Sequence, residues 1–439
     1  MLLRISPTMA LRFAAVTMAL VLALTAAALP LHAQDIATVN DTARILGGMQ
    51  PTQGSAAASV ASSPGFAAHA RDMESAWAKL ESGRLAPMRA WSSANLPGRG
   101  SSRPIYYPFS GADFLHLYTY YPSSSTYVMC GLEPVGSVPA LAGLPADQLA
   151  GGLAQVRGSL NSLLRYSYFM TKEMRSDFGG NRFGGVTPVL LLMLARNGCT
   201  ITDLSYVYLG ANGAVGPSAR GKGNGVRIVF RGRGGTQELL YFSYNLSDGG
   251  ATSYINLMRA RGQGQTYLKA ASYLMHGGGF TRIRDGILAN SYTILQDDSG
   301  IPLRYFTAKP VWKLQFFGNY TKPIPLFANY YQDDLRSVYT SGTAGPIREL
   351  TFGIGYFFWG NQSNLMLATK TGNAPSYVPA SPAAPASQKP AKPGQAPAAT
   401  TQQPPAKPGF QLFRLQPDEP EPAPPTAKPK RRVRDMDLE

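Results

Sequence analysis

Cysteine, histidine and acidic residues are scarce in this chain of 439 residues. It has two cysteines and four histidines, and 41 basic residues outnumber 25 acidic ones, which gives a formal net charge of +16. Such scattered histidines and cysteines disfavour a zinc site, and the H-E-x-x-H signature of a metalloprotease is absent. The G-x-S-x-G nucleophile elbow is absent as well, so the His-Gly-Gly-Gly stretch at 276–279 is interpreted as a helix end rather than as a lipase oxyanion loop. We expect neither a metal nor a cofactor.

Long apolar runs are also missing, except near the N-terminus. Arg4 and Arg12 precede the apolar stretch Phe13–Leu29, which ends at Pro30 and is followed by the small residue Ala33. This order is typical of a cleaved signal peptide over residues 1–33, and a membrane anchor is the alternative. No later segment reaches the roughly 20 apolar residues that a spanning helix needs. We therefore expect a periplasmic or secreted protein with no transmembrane span in its mature chain.

The two cysteines, Cys130 and Cys199, form an even pair. In an oxidising compartment such a pair predicts a disulfide bridge. Two buried thiols are the alternative, because each cysteine lies beside apolar residues.

Composition divides the remaining chain into three parts. Residues 34–65 are rich in small and polar residues, which predicts a flexible lead-in. Residues 66–370 contain the helical and strand-like patterns of a globular domain. Residues 371–439 are rich in proline, alanine and lysine, so a disordered tail is expected. The tail carries one apolar island, at 410–415, and a basic end, which suggest either a docking element or a solubilising extension.

The globular part shows helical and strand patterns without strict alternation. A strand, a short helix and a strand over residues 105–130 indicate a crossover unit, and 226–244 has the pattern of a hairpin. Helices are predicted over 146–175 and 266–276. The prediction is an α+β fold with a mixed sheet and several helices in a single globular body.

The adjacent carboxylates Asp297 and Asp298 lie between two runs rich in β-branched and aromatic residues. Ser299 and Gly300 follow them, and this composition is typical of a turn. Adjacent residues in a strand also point to opposite faces, which disfavours a catalytic pair. We interpret the stretch as a hairpin turn.

The strongest catalytic candidates are Asp113, His116 and Glu133. The first two lie one helical turn apart, and the third lies in the next strand region. Together they could form a His–carboxylate acid–base unit near strand ends, where open sheets place their ligand sites. The alternative is that Asp113 only caps a helix and His116 is one polar residue on it.

A basic, glycine-rich stretch supplies a candidate binding set, which comprises Lys222, Arg227, Arg231 and Arg233. These cations favour acidic envelope polymers as partners, and the tail favours another envelope protein. Nucleic acid is not expected. The resulting hypothesis is a non-enzymatic, envelope-associated binding protein. The alternative is a hydrolase of wall or polysaccharide material that uses the Asp/His/Glu site.

Overall fold

The computed structural model describes residues 35–97, 99–166, 183–219, 222–342, 345–358 and 362–372, without the side chains of 159–166 and 357. They belong to the first of two compact units of the chain, Met1–Ser381, and the second unit is Pro382–Glu439. The predicted signal peptide, the tail beyond 372 and the predicted helical residues 167–175 lie outside the described residues. Nothing in the structure therefore tests those predictions.

Ten strands form one mixed sheet. In spatial order they are β4 (Val215–Pro217), β3 (Thr200–Leu209), β5 (Gly225–Gly232), β6 (Gly235–Ser243), β2 (Thr126–Gly131), β1 (Ile105–Tyr107), β7 (Gly264–Leu268), β8 (Ser291–Gln296), β10 (Asn364–Lys370) and β9 (Trp312–Gly318). The five central strands, from β6 to β8, are parallel. The outer pairs on both sides are antiparallel. The prediction of an α+β fold with a mixed sheet is confirmed.

Helices cover both faces of this sheet. They are α1 (Ile36–Leu46), α2 (Ala58–Ala61), α3 (Pro64–Leu80), α4 (Ala86–Asn95), α5 (Phe114–Tyr120), α6 (Ala146–Tyr166), α7 (Thr187–Arg196), α8 (Thr252–Arg261), α9 (Thr281–Asn290), α10 (Arg304–Thr307) and α11 (Asp333–Ser341). A π-helical turn, Glu81–Leu85, joins α3 to α4, and short 3-10 turns cover Leu274–His276, Pro325–Tyr330 and Gly355–Phe357.

The sheet separates two hydrophobic cores. Ile105 and Tyr107 of β1 point into the first core with α1 and α3 to α7, whereas Tyr106 points into the second core with α8 to α11. This alternation follows from the two-residue period of a strand. The central strands are buried on both faces, so their sequences lack the regular apolar–polar alternation of a half-exposed strand.

The crossover predicted over residues 105–130 is confirmed, since β1 and β2 pair in parallel with α5 between them. Helix α5 begins at Asp113, whose carboxylate accepts a hydrogen bond from the amide of His116 at 3.2 Å. Asp113 is thus the capping residue itself. The hairpin formed by β5 and β6 is also confirmed.

The prediction of a flexible lead-in is wrong for residues 36–46, which form α1. Val39, Ala43 and Leu46 of this helix are buried. The Asn40 side chain donates to the carbonyl of Ile201 at 2.8 Å and accepts from the amide of Ile201 at 2.9 Å. The polar residues that suggested flexibility therefore bind the outer edge of β3.

Two predictions around the central strands are also wrong. Residues 266–276 form the end of β7 and a 3-10 turn instead of a helix, because parallel strands at the centre lack the alternation that distinguishes a strand. The run 301–306 pairs with nothing as a strand, so Asp297 and Asp298 do not form a hairpin turn. They begin the loop that leaves β8 at its carboxyl end.

The predicted disulfide is absent. Both Cys130 and Cys199 are free and buried. Cys130 belongs to the second core and Cys199 to the first, on the other face of the sheet. An even number of cysteines does not constrain which face each one occupies.

Among the residues that the structure describes, no helix is sufficiently long and apolar to span a membrane.

Candidate functional site

The carboxyl ends of the parallel strands bring several charged side chains to one edge of the sheet. Asp113 follows β1, Glu133 follows β2, Lys269 follows β7 and Asp297 follows β8. Open sheets with parallel strands place their ligand sites at this edge. The topology therefore gathers residues that are far apart in sequence.

A buried charged cluster forms around Lys269. Its ammonium group contacts the Asp113 carboxylate and lies 3.1 Å from His116 Nδ1. His116 Nδ1 lies 2.8 Å from Asp113 Oδ1, and the Tyr107 hydroxyl donates to Asp113 Oδ2 at 3.1 Å. The exposed fractions of Asp113, His116 and Lys269 are 1%, 0% and 3%. We call Tyr107, Asp113, His116 and Lys269 the buried cluster.

The environment of this cluster alters its protonation. Burial would raise the pKa of Asp113, but the charges of His116 and Lys269 bring it down to about 2. Burial lowers the pKa of His116 to about 4, and it also lowers the pKa of Lys269. At neutral pH the His116 ring is thus uncharged beside an ionised Asp113, which is stabilised by Lys269.

Glu133, the third predicted catalytic residue, lies near the loop that follows β1. It is 1% exposed, and Tyr241 donates to its carbonyl at 2.9 Å and to its Oε2 at 3.3 Å. A methyl group on Gly111 would lie 3.6 Å from Glu133 Oε1. Of the three predicted catalytic residues, the structure brings Asp113 and His116 into direct contact and leaves Glu133 bonded to a different strand.

Asp297 and Asp298 secure the segment that follows Lys269. Asp297 Oδ2 accepts from the amide of Ala270 at 2.9 Å, and Asp298 accepts from the hydroxyl of Tyr273. Ser299 Oγ adds a bond from the amide of Ala271 at 2.7 Å. Burial, together with the charge of Asp298, raises the pKa of Asp297. These carboxylates therefore have a positioning role that the turn interpretation did not include.

The segment that they hold has an unusual backbone. Ala270, Ser272 and Tyr273 have φ angles of 49°, 52° and 55°, in the left-handed region, and Phe109 after β1 has 62°. Residues other than glycine occupy this region at a cost of about 1–3 kcal/mol each, and such residues concentrate at functional sites. The strain at this edge lies directly beside Lys269.

Aromatic rings cover this segment on the outside. The Tyr273 ring stacks on Tyr330, with centroids 5.5 Å apart, and on Tyr356 at 6.2 Å, and Phe327 lies 5.0 Å away. Tyr273 is buried, whereas Tyr330 is 37% exposed and Phe327 and Tyr356 are partly exposed. His276 contacts both Tyr273 and Tyr330 edge-on. We call Tyr273, His276, Phe327, Tyr330 and Tyr356 the aromatic surface.

Hydrogen bonds to the segment 270–276 hold the aromatic surface in place. The Tyr356 hydroxyl donates to the carbonyl of Ala270 at 3.1 Å and lies 2.8 Å from Ser272 Oγ. Arg304, which is exposed, donates to the carbonyl of His276 at 3.0 Å. Rings held in one orientation lose little entropy when a ligand stacks on them. An exposed cation therefore lies beside a preorganised set of rings.

A small cavity lies behind the Asp298 loop. Its volume is about 10 Å³, enough for about one water molecule, and Asp298, Gln332 and Asn364 contribute polar atoms to its lining. This space is too small for a substrate molecule.

The predicted basic set lies along β5, on the antiparallel side of the sheet. Arg227 donates to Glu238 Oε1 at 2.6 Å and to Asp203 Oδ2 at 2.8 Å, so acidic neighbours compensate its charge. Lys222, Arg231 and Arg233 are exposed. The binding role of this set stays a prediction, and β5 lies three positions away from β1 in the strand order.

Sequence reasoning missed Lys269 and the aromatic surface. Lys269 lay within a predicted helix, where a lysine is an ordinary surface residue. The tyrosines lie at positions 273, 330 and 356 in three separate segments, and only the fold brings them together.

Within the described ranges, no group of three or more His, Cys, Asp or Glu side chains has the arrangement of a metal site. Comparison of the chain with protein-family models, with curated proteins and with solved structures gives no match.

Proposed function

We propose that this is a non-enzymatic binding protein that binds an acidic polysaccharide through the aromatic surface. The observation that supports the proposal is the row of stacked, hydrogen-bonded tyrosines beside the exposed Arg304. Aromatic rings bind the apolar faces of sugar rings, and a guanidinium binds carboxylates in a paired geometry. The exported chain would keep a net charge of +14, because Arg4 and Arg12 leave with the signal peptide, and this charge would also attract an acidic polymer.

The burial of the charged cluster favours binding over catalysis. Asp113, His116 and Lys269 are each exposed by 3% or less. In the aromatic surface, in contrast, Tyr330 is 37% exposed and Phe327 and Tyr356 are partly exposed without any rearrangement. A polymer can therefore contact the aromatic surface directly, and it would reach the buried cluster only after the covering segment moves.

The test measures affinity of the full-length protein for polygalacturonate, with dextran as the neutral comparison. Replacing Tyr330 by Ala removes one stacking ring, worth about 0.5–1.5 kcal/mol, so polygalacturonate affinity should fall about threefold to tenfold. Tyr208→Ala is the matched control, because Tyr208 is 50% exposed but lies on β3. Equal losses in the two variants would contradict the proposal.

Arg304→Gln tests the preference for acidic ligands. This variant should lose affinity for polygalacturonate and retain its weaker affinity for dextran, because only the acidic polymer pairs with the guanidinium. Arg231→Gln, an exposed cation on β5, is the matched control. If Arg231→Gln has the larger effect, then the basic set on β5 is the binding surface and the aromatic surface is not.

A hydrolase acting on wall or polysaccharide material is the second candidate. It is favoured by the 2.8 Å contact between Asp113 and His116, which forms a His–carboxylate unit at the carboxyl edge. The test incubates the protein with polygalacturonate and with peptidoglycan and measures new reducing ends. Release by the wild type that is lost in His116→Gln would support the hydrolase, and no release would leave the binding function.

Export to the periplasm or the medium is part of the proposal. The support is the sequence pattern of residues 1–33 alone. Sequencing the N-terminus of protein recovered from the periplasm or the medium should give a chain that begins near Gln34. Recovery of the chain from the cytosol with Met1 still present would contradict export.

A further inference from the structure

We propose that Lys269 is a reactive amine that forms an imine with a carbonyl compound. The surroundings of this lysine carry the inference: a carboxylate, an imidazole and a phenol around one amine, at the carboxyl end of a central parallel strand. This proposal goes beyond the binding of a polymer and does not depend on it.

Burial of the Lys269 charge costs free energy, and a chemical function would explain why a lysine occupies this position. Two buried charges lose their hydration, and a pair of apolar residues of similar volume would often be as stable or more stable. Imine-forming lysines are characteristically buried beside groups that can take up their proton. Asp113 is in contact with the ammonium group and is linked to His116, so the proton has an acceptor at hand.

The strained segment 270–273 provides the route to the amine. It directly follows Lys269 and has three left-handed residues. Its hydrogen bonds come from the Asp297–Ser299 loop and from Tyr356, so release of a few side-chain bonds would free it. Relief of the backbone strain would offset part of that loss.

The chemistry is a condensation without any redox step. Asp113 takes one proton from the ammonium group, and the free amine adds to the carbonyl carbon. The nitrogen gives up its two remaining protons as the carbonyl oxygen leaves as water, and a C=N bond replaces the C=O bond. Protonation of the imine nitrogen by Asp113 restores the cation beside the carboxylate.

The experiment traps this imine in the full-length wild-type protein. Glyoxylate is the probe, and sodium cyanoborohydride supplies the hydride that reduces the C=N bond to a stable carboxymethyl-lysine. Peptide mass spectrometry then measures the modification rate at each lysine. We expect Lys269 to react at least tenfold faster than Lys309 and Lys313, which are exposed. If Lys269 is the slowest of the three, it is only a structural ion-pair partner and the proposal is overturned.

Discussion

Charged side chains occur in two contrasting regions of this sheet. At the carboxyl edge, Lys269 and Asp113 are almost completely buried, and each is needed to compensate the other. On β5, Arg227 is 35% exposed and pairs with Asp203 and Glu238 at the surface, where water already screens the charges. The same kind of ion pair therefore contributes differently to the free energy of unfolding in the two regions, because burial makes an uncompensated charge costly.

Removal of one partner at the carboxyl edge should have the largest effect. Lys269→Met leaves the Asp113 carboxylate buried without its cation, so we expect a loss of about 3–5 kcal/mol in the free energy of unfolding. Guanidinium unfolding at pH 7 measures it. Arg231→Met, at an exposed position on β5, is the control and should change the free energy of unfolding by less than about 0.5 kcal/mol. Similar losses in both variants would contradict the claim that the buried charge matters more for stability than the exposed one.

The pH dependence of stability sharpens the same contrast. Burial lowers the pKa of His116 from its ordinary value of about 6.5 to about 4 in the folded protein. The unfolded chain therefore binds a proton at higher pH, and stability that is present above pH 6.5 is lost as the pH falls towards 4.

His116→Gln should remove that part of the pH dependence. The difference in unfolding free energy between wild type and variant should shift by about 3 kcal/mol from pH 6.5 to pH 4. Denaturant unfolding at several pH values provides the measurement. A constant difference over this range would show that His116 titrates alike in both states.

The smallest effect is expected on β5. Arg227→Gln removes two surface ion pairs, each worth about 0–1 kcal/mol, and this contribution should shrink further in 1 M salt. Unfolding in low and high salt tests it. A loss as large as that of Lys269→Met would mean that the β5 arginines support the fold as strongly as the buried cluster does.

The sequence predicted the elements that have strong local signals. The helix Ala146–Tyr166 lies within the predicted range 146–175, and the hairpin at 226–244 has glycines between two alternating strands. These patterns depend on neighbours in sequence, so a single chain is enough to recognise them.

The carboxyl edge could be predicted only in part. Asp113 and His116 are one helical turn apart, so their contact followed from local geometry. Lys269 is 156 residues from Asp113, and the strand before it, Gly264–Leu268, lacks the apolar–polar alternation that would mark it as a strand. The Asp297–Asp298 loop has the composition of a hairpin turn, and only the strand order shows that the next strand lies elsewhere.

Asn40 has a consequence for self-association. Its side-chain amide occupies both the N–H and the C=O of Ile201, so this residue acts as a one-residue substitute for a neighbouring strand. Strand β4 pairs with β3 only over residues 207–209 of β3. Helix α1 covers the edge of β3 at Ile201. A shortened protein lacking residues up to 49 would expose unpaired backbone N–H and C=O groups of β3. Two copies of it would then tend to associate by pairing these strand edges.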